Sequence, residues 1–318
     1  MTTYTIILFY KYVHIDDPAA VMHSQRVLCE HLGLKGRAII AHEGINATFE
    51  GENEAIEQYC RELRSDPRFT DIDIKKSPGT GAAFPKLSIK VRKEIVSLGL
   101  PTEKDIDPNK TTGKYLSAEE LHSWFASGKK FKIIDMRNDY EHRVGHFKGS
   151  VLPPLSNFRD LPKVLPTLES LKDETIVTVC TGGVRCEKAS GFLVKSGFKD
   201  VYQLKHGIVT YMEKFENGQA GSVGIREEVA SEEVKTPAGN FLGSLYVFDD
   251  RVTMAFAEAK NRPVVGKCAL CSTASEKYVN CANNLCHLHF IVCEKCVSES
   301  PYCVDCTRSL NTKVQPVL

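Results

Sequence analysis

The sequence has no long apolar stretch and almost no excess of charge of either sign. No apolar run approaches the roughly 18 residues that a membrane-spanning helix requires, and residues 1–13 lack the basic, apolar and small-residue regions of a secretory signal. The 41 lysines and arginines offset 40 aspartates and glutamates, so total charge indicates neither a polyanionic nor a membrane partner. We therefore expect a cytoplasmic protein without a membrane partner, in which a local patch would have to bind any polyanion.

Extensive disorder is also excluded, because 42% of the 318 residues are hydrophobic and only 25% are charged. The length predicts two or three domains, at about 100 to 200 residues each. In a reducing compartment the 12 cysteines are better interpreted as metal ligands, catalytic thiols or buried residues than as disulfides.

Residues 1–97 show apolar patterns in the order β-α-β-β-α-β, which predicts a ferredoxin-like (acylphosphatase-like) α+β domain. The expected helices are 18–32 and 53–63, and the expected strands are 2–13, 37–41, 46–50, 71–75 and 87–96. Residues 98–113 contain two prolines, two glycines and few apolar residues, so we expect a linker there.

Residues 114–216 alternate strands and helices, which predicts an α/β domain with a parallel, doubly covered sheet. Ser117, with Glu120 three residues later, is typical of a capping box at a helix start. Residues 217–240 are acidic and unpatterned, and we interpret them as a second linker. The last part, 241–318, is a small Cys-rich domain that begins with a short strand at 241–248.

The strongest catalytic signal is Cys180, which follows an apolar strand at 175–179 and precedes a helical stretch. A short glycine-containing loop between strand and helix directs backbone N–H groups and the positive helix end at the thiol. Such surroundings stabilise the nucleophilic thiolate and can hold a persulfide or a sulfenate built on the sulfur. Cys180 is therefore the predicted catalytic residue, and its active-site loop comprises Thr181, Gly182, Gly183, Val184 and Arg185.

Cys186 lies one residue past this loop, in the first turn of the predicted helix. It can act as a resolving thiol for Cys180 if the two sulfur atoms approach to disulfide distance. The alternative is an ordinary helix residue packed inward. Both interpretations remain open.

The C-terminal part carries eight cysteines within 39 residues. Pairs separated by two residues can present both sulfur atoms to one tetrahedral ion, so four pairs predict two structural zinc sites. Disulfides are the competing interpretation, and spacing does not show which pairs share an ion. The predicted metal ligands are Cys268, Cys271, Cys281, Cys286, Cys293, Cys296, Cys303 and Cys306.

One stretch of the first domain is locally basic. Six cations occur there without an intervening acidic residue, and clustered cations of this kind can bind a phosphate backbone. A solvated surface is the alternative. The candidate RNA-binding residues are Lys75, Lys76, Lys86, Lys90, Arg92 and Lys93.

The central domain resembles a rhodanese domain over about a third of the chain. The resemblance implies that Cys180 can carry a persulfide, and that Asp135, Arg137 and His146 are structural. Related phosphatases have a loop one residue longer, so phosphoryl transfer is only a minor alternative. The motifs are Asp135-Met136-Arg137, Glu141, residues 145–150 with Pro153, the loop 180–185, and residues 201–204 leading to Gly207.

Nearly the whole chain resembles the TrhO-type bacterial tRNA uridine hydroxylases. This resemblance implies oxygen-dependent conversion of the wobble uridine of tRNA to 5-hydroxyuridine, with tRNA and molecular oxygen as partners. Ala47 departs from the glycine expected in the first motif. The motifs, in order, are residues 41–48, 84–87 and 90–96, the rhodanese-like centre, residues 247–251 and the Cys-rich end.

The sequence contains no dinucleotide fingerprint and no recognisable histidine-carboxylate iron motif, so no organic or oxygen-activating cofactor is predicted. Cys180 would act through an oxidised or sulfur-bearing state, by covalent addition to the uracil ring, or with a cofactor supplied from elsewhere. Two other functions compete with hydroxylation. One is a persulfide-forming sulfurtransferase, and the other is a zinc-dependent RNA-binding or scaffold protein with an inactive rhodanese fold.

Overall fold

The computed structural model describes residues 3–101, 104–215, 239–255 and 263–312. Most of the second predicted linker, residues 217–238, lies outside the described residues. Within the described ranges, no helix has the length and apolar character needed to cross a bilayer.

The first domain has a five-stranded sheet in the order β4-β1-β3-β2-β5. The first four strands pair antiparallel, which confirms the ferredoxin-like topology, and β5 adds to β2 in parallel. Strand β4 begins three residues later than the sequence predicts. The elements are β1 (Tyr4–Tyr12), α1 (Pro18–His31), β2 (Lys35–Ala41), β3 (Gly44–Glu52), α2 (Asn53–Ser65), β4 (Ile74–Gly79) and β5 (Leu87–Val91).

The two faces of this sheet have different neighbours because successive side chains of a strand point to opposite faces. Ile7 and Phe9 of β1 lie in the buried core with Tyr59 of α2. The alternating residues Leu8 and Tyr10 point away from that core and line a cavity against the second domain. The first domain therefore presents one sheet face to the rest of the protein.

The second domain has a parallel sheet in the order β6-β10-β9-β7, which confirms the predicted α/β architecture. Ser117 and Glu120 form the predicted capping box at the start of α3. The elements are β6 (Lys114–Leu116), α3 (Ala118–Ser127), β7 (Lys132–Asp135), α4 (Asp139–His142), β8 (Gly145–Phe147), α5 (Leu161–Val164), β9 (Thr175–Val179), α6 (Val184–Lys195), β10 (Asp200–Leu204) and α7 (Gly207–Phe215).

The segment 98–113 is packed more tightly than a free linker. Leu98 and Ile106 are almost completely buried in the core that α6 forms with the parallel sheet. Its few apolar residues therefore anchor it to the second domain.

The predicted strand at 241–248 is divided in two by Gly243, whose φ of +77° turns the chain. The first part pairs with β8 of the second domain, and the second part forms a separate hairpin. The C-terminal elements are β11 (Phe241–Gly243), β12 (Leu245–Tyr246), β13 (Thr253–Met254), β14 (Tyr278–Asn280), β15 (His289–Ile291), α8 (Glu294–Glu299) and α9 (Val304–Thr312).

A buried lysine on α6 joins the first two domains. The side chain of Lys188 has no exposed surface, and its Nζ lies 2.8 Å from Glu43 and 2.6 Å from Glu94. Asp105 is farther away, at 3.8 Å. Because both nearer carboxylates belong to the first domain, this cluster holds the open sheet face against the helix that follows Cys180.

Candidate active site

Of the residues predicted as the catalytic loop, those from Cys180 to Gly183 connect β9 to α6, whereas Val184 and Arg185 form the start of α6. Cys180 ends the buried strand segment, and the backbone N–H of Gly183 donates to its Sγ at 3.2 Å. Gly183 has a φ of +103°, a conformation that a residue with a Cβ adopts only with strain. The loop therefore needs glycine there to aim its amide at the sulfur.

Two backbone hydrogen bonds from the start of α7 stabilise the same loop. The N–H of Ile208 donates to the Cys180 carbonyl at 2.9 Å, and the N–H of Val209 donates to the Thr181 carbonyl at 3.1 Å. A Cβ at Gly207 would lie 2.5 Å from the Thr181 oxygen, so this close approach also requires glycine. Two helix starts thus fix the loop backbone.

The surroundings of Cys180 favour its thiolate. Burial by itself would raise the pKa of this thiol, but three effects outweigh it: a hydrogen bond from the Cys186 thiol, the positive charge of Arg185, and the N–H groups of these two residues. Together they lower the pKa of Cys180 from 9.0 to about 6. Cys180 is therefore a nucleophile at neutral pH.

Cys186 is the donor in this pair of thiols. Burial and the neighbouring Cys180 sulfur raise the pKa of Cys186 well above the ordinary value, so it remains protonated. Both cysteines are buried and neither forms a disulfide. The role of Cys186 as a resolving thiol stays a prediction.

Arg185 forms an ion pair with Glu141, a pairing that the sequence did not predict. Its guanidinium donates to both carboxylate oxygens of Glu141, at 2.7 and 2.6 Å, and to Thr181 Oγ1 at 3.4 Å. Burial opposes the charge of Arg185, but Glu141 outweighs it and raises the pKa of Arg185. The expected positive charge is present, and this bidentate pair fixes its position.

Asp135 and Arg137 occupy the structural role expected of them. They form a fully buried ion pair with a shortest N–O distance of 2.6 Å, and Arg137 also donates to the Gly145 carbonyl. His146 Nδ1 lies 2.9 Å from the His142 carbonyl oxygen. The polar contacts of all three residues are therefore contacts within the scaffold.

Cys180 lies at the wall of a cavity of about 420 Å³ between the domains. One wall is the open sheet face of the first domain, with Leu8, Tyr10 and Asn46; another is the catalytic loop. The third contains Phe248 from the C-terminal part. A mostly apolar cavity of this size, with a few polar groups, is suited to a small ligand or one part of a larger one.

The sequence also did not reveal the network around Glu187, on α6. Its carboxylate accepts hydrogen bonds from Tyr10 at 3.1 Å, from Tyr115 at 3.0 Å and from Gln203 at 3.1 Å. Burial and Glu187 raise the pKa of Tyr10, so its hydroxyl stays protonated. Because these partners are distant in the sequence, no local motif reports them.

The six candidate RNA-binding cations are separated into two groups by the sheet. Strands β4 and β5 are at opposite edges with three strands between them, a distance of about 19 Å at normal strand spacing. One group pairs with carboxylates of Asp73 and Glu57, whereas the other makes no ion pair with any described residue. The first group is Lys75 and Lys76, and the second is Lys86, Lys90, Arg92 and Lys93.

The eight C-terminal cysteines form two groups of four, and in each group all sulfur atoms lie within 4.8 Å of one another. The pairs are interleaved, which spacing alone did not show. Two Sγ–Sγ distances, of 3.6 and 3.7 Å, approach the roughly 3.8 Å expected for a tetrahedron with zinc–sulfur bonds of about 2.3 Å. All eight are free thiols in the structure, as metal ligands would be. One group is Cys268, Cys271, Cys293 and Cys296; the other is Cys281, Cys286, Cys303 and Cys306.

We predict that Cys180 is half-ionised near pH 6. The thiol is protonated below this pH and forms a thiolate above it, so ultraviolet thiolate absorbance should increase through this range. The difference between the wild type and Cys180→Ser isolates this signal from the other cysteines. Cys186→Ala removes a hydrogen-bond donor and should move the midpoint upward. A wild-type midpoint near the ordinary value of 9.0 would contradict the geometry.

Comparison with known proteins accounts for nearly the whole chain. Three family models match: the UPF0176 acylphosphatase like domain at residues 4–95, the rhodanese-like domain at 117–214 and the rhodanase C-terminal region at 242–309. The tRNA uridine(34) hydroxylase of Bacillus licheniformis is 41% identical over 96% of this chain and 87% of its own length.

Two further relatives are also tRNA uridine(34) hydroxylases. The protein of Staphylococcus carnosus is 41% identical over 92% of this chain and 85% of its own length. That of Cytophaga hutchinsonii is 40% identical over 93% of this chain and 86% of its own length. With this identity over almost the full length, the chain belongs to the tRNA uridine(34) hydroxylase family.

Proposed function

We propose that this protein hydroxylates the wobble uridine of tRNA to 5-hydroxyuridine, with molecular oxygen as the oxidant. The observation that carries the proposal is the Cys180 thiolate at the wall of a cavity between two domains. Family membership supplies the substrate and the reaction. The site of action would be the cytoplasm, where tRNA is modified.

Covalent addition to the base gives Cys180 a direct role in this reaction. The thiolate would attack C6 of the uracil ring, which forms a carbon–sulfur bond and moves the C5–C6 electron pair toward C5. C5 then becomes electron-rich enough to add molecular oxygen, and its electron pair forms the C5–O bond of a hydroperoxide. An external two-electron reductant of the thiol class, which we infer, cleaves the O–O bond with two protons and leaves the C5 hydroxyl and water. Loss of the C5 proton then restores the C5–C6 double bond and breaks the carbon–sulfur bond, which releases the thiolate.

The surrounding residues serve this step in separate ways. The Gly183 amide and the Cys186 thiol stabilise the Cys180 thiolate before the nucleobase binds. Glu141 holds the guanidinium of Arg185 close to the sulfur. Because the pair is buried, water does not solvate this positive charge. Cys186 would also resolve Cys180 if the sulfur becomes oxidised, which returns the enzyme to its thiol form after reduction.

We propose that the free cations at the β5 edge bind tRNA phosphates. Lys90 shares a sheet face with Ile39, which lines the cavity. Arg92 and Lys93 follow directly and are exposed. A phosphate backbone along this edge would leave a loop nucleotide within reach of the cavity, and Lys75 would act from the opposite edge.

The two groups of cysteines would each bind one zinc ion. Four thiolates in tetrahedral spacing are the donor set of a structural zinc site. The segment has a small core made largely of the cysteines themselves, so bound metal would supply most of its folding free energy. The zinc ions stabilise this part of the chain and take no part in the reaction.

Freshly reduced protein should contain two zinc ions per chain, measured by elemental analysis against protein concentration. Replacing Cys271 and Cys293 by serine should leave one ion, because the other group is intact. The same result is expected for serine at Cys286 and Cys303. A wild-type ratio near zero, or loss of both ions in either double variant, would contradict two independent sites.

Replacing Lys90, Arg92 and Lys93 together by alanine should weaken tRNA binding and flatten its dependence on salt. Each lost phosphate contact lowers the slope of log affinity against log salt by about 0.7 to 0.9, so the expected decrease is about two to three. The matched control removes Lys129, Lys130 and Lys132, which are exposed on the second domain. Equal effects of both triple variants would refute a specific role for the β5 edge.

Cys180→Ser should abolish 5-hydroxyuridine formation and leave tRNA affinity nearly unchanged. A serine hydroxyl is not ionised at neutral pH, so the nucleophile is lost while the binding surface stays. Mass analysis of tRNA nucleosides from cells that express each form measures the product, and a binding assay provides the control. Full activity of the variant would exclude covalent catalysis. Transfer of sulfur without hydroxylation by the wild type would favour the sulfurtransferase alternative.

A further inference from the structure

The cavity next to Cys180 is lined by a partly exposed aromatic residue, Phe248. Phe248 is 40% exposed, and it lines the cavity together with the catalytic loop. Two guanidinium groups contact its ring: the Cζ of Arg37 lies 5.4 Å from the ring centroid, and the Cζ of Arg185 lies 5.9 Å from it. Arg37 also donates to the Phe248 carbonyl. The ring is therefore a fixed, partly open wall.

Such a wall suits a flat base. Stacking of a nucleobase on an aromatic ring is worth about 1–3 kcal/mol and does not depend on which base it is. Phe248 would then explain binding of a base in the cavity, but not the choice of uracil. The choice requires a polar group at the edge of the base.

Asn46 is such a group, on the wall that the first domain forms. It is on β3, between Tyr10 of β1 and Ile39 of β2 in the register of the sheet, and all three line the cavity. Its Nδ2 donates to the Ile95 carbonyl at 3.3 Å, which fixes the orientation of the amide. Its Oδ1 accepts no hydrogen bond from any residue in the described ranges. Asn46 thus offers the cavity a hydrogen-bond acceptor.

The chemistry of the ring determines which atom this acceptor meets. In a uracil attacked at C6, the atom directly across the ring is N3, which carries a hydrogen. In cytosine the same N3 has a lone pair and no hydrogen. When C6 of the base lies at Cys180, an acceptor in the plane of the ring at N3 therefore binds uracil and repels cytosine held in the same position.

We propose that the cavity is a pocket for a single extruded uracil base, in which Phe248 stacks on the ring and Asn46 Oδ1 accepts the N3 hydrogen. This proposal rests on the proposed function, because C6 must lie at Cys180. Asn46 acts as a specificity residue that touches the substrate. Phe248 holds the base for the attack without selecting it.

The test uses full-length Cys180→Ser protein and anticodon stem-loop RNAs, so that binding is measured without reaction. The RNAs carry uridine, cytidine, 3-methyluridine or an abasic site at the target position. With Asn46 present, uridine should bind about 5- to 150-fold more tightly than cytidine, which corresponds to one base-edge contact. The 3-methyl group removes the N3 hydrogen, so this RNA should bind no better than the cytidine form.

Asn46→Leu, in the same background, should bring the uridine-to-cytidine affinity ratio close to one. The affinity for the cytidine RNA should stay the same or rise, because the repulsion between Asn46 and its N3 is removed, and retained binding also shows that the variant is folded. An unchanged ratio, or an equal loss of affinity for all four RNAs, would overturn the role of Asn46. The first would show that another group reads the base, and the second would show a structural role only.

Phe248→Leu should weaken binding of the uridine and cytidine RNAs alike and leave the abasic RNA unaffected. Phe248→Trp should retain the affinity for both RNAs, because the indole ring also stacks on a base. Val27→Ala, at an exposed apolar residue of α1 on the far side of the sheet, is the control. If Phe248→Leu and Val27→Ala behave alike, the stacking wall is refuted.

Hydroxylation by the otherwise wild-type protein is measured separately on the uridine RNA. Base discrimination that depends on Asn46, without any hydroxylated product, would retain the pocket and overturn the proposed reaction. Hydroxylation with discrimination that ignores Asn46 would retain the reaction and overturn the pocket. The two proposals therefore fail in different experiments.

Discussion

The cavity depends on one buried cation. Lys188 is on α6, the helix that follows the Cys180 loop. Its side chain lies between Glu43 and Glu94 of the first domain. Burial alone would lower the pKa of Lys188, but the two carboxylates outweigh it and raise the pKa. Removing one partner from a buried ion pair costs about 3–5 kcal/mol because a charge remains buried without compensation. The sheet face and the catalytic helix are therefore fixed together.

The backbone around Glu43 is adapted to this contact. Glu43 precedes Gly44, whose φ is +144° and whose Cβ, if present, would lie 2.0 Å from the Lys11 carbonyl oxygen. Only glycine allows this tight turn between β2 and β3. Glu43 also accepts the Ile95 N–H at 2.7 Å. The turn, the ion pair and the end of the first domain thus form one structural unit at the edge of the cavity.

Much of the fold was accessible from local sequence patterns. The order of elements in the first domain, the parallel sheet, the capping box at Ser117 and the Cys180 loop all depend on residues close together in the chain. The interleaving of the cysteine groups, the Glu141–Arg185 pair and the contacts of Lys188 join residues far apart. Periodicity contains no information about such pairs. The same holds for the basic stretch, whose cations are close in sequence but lie at opposite edges of the sheet.

The Cys-rich part reaches the catalytic loop through a cluster of aromatic rings. Tyr278 stacks on His289 with centroids 4.8 Å apart and donates a hydrogen bond to the Tyr140 carbonyl. Tyr140 precedes Glu141 in α4, and Glu141 holds Arg185 beside Cys180. Phe290 of the β14–β15 hairpin packs among the cysteines, and Ile291 packs with Val144 and Tyr246. The hairpin therefore connects the cysteine groups to the part of the second domain that holds Arg185, through apolar contacts and aromatic rings.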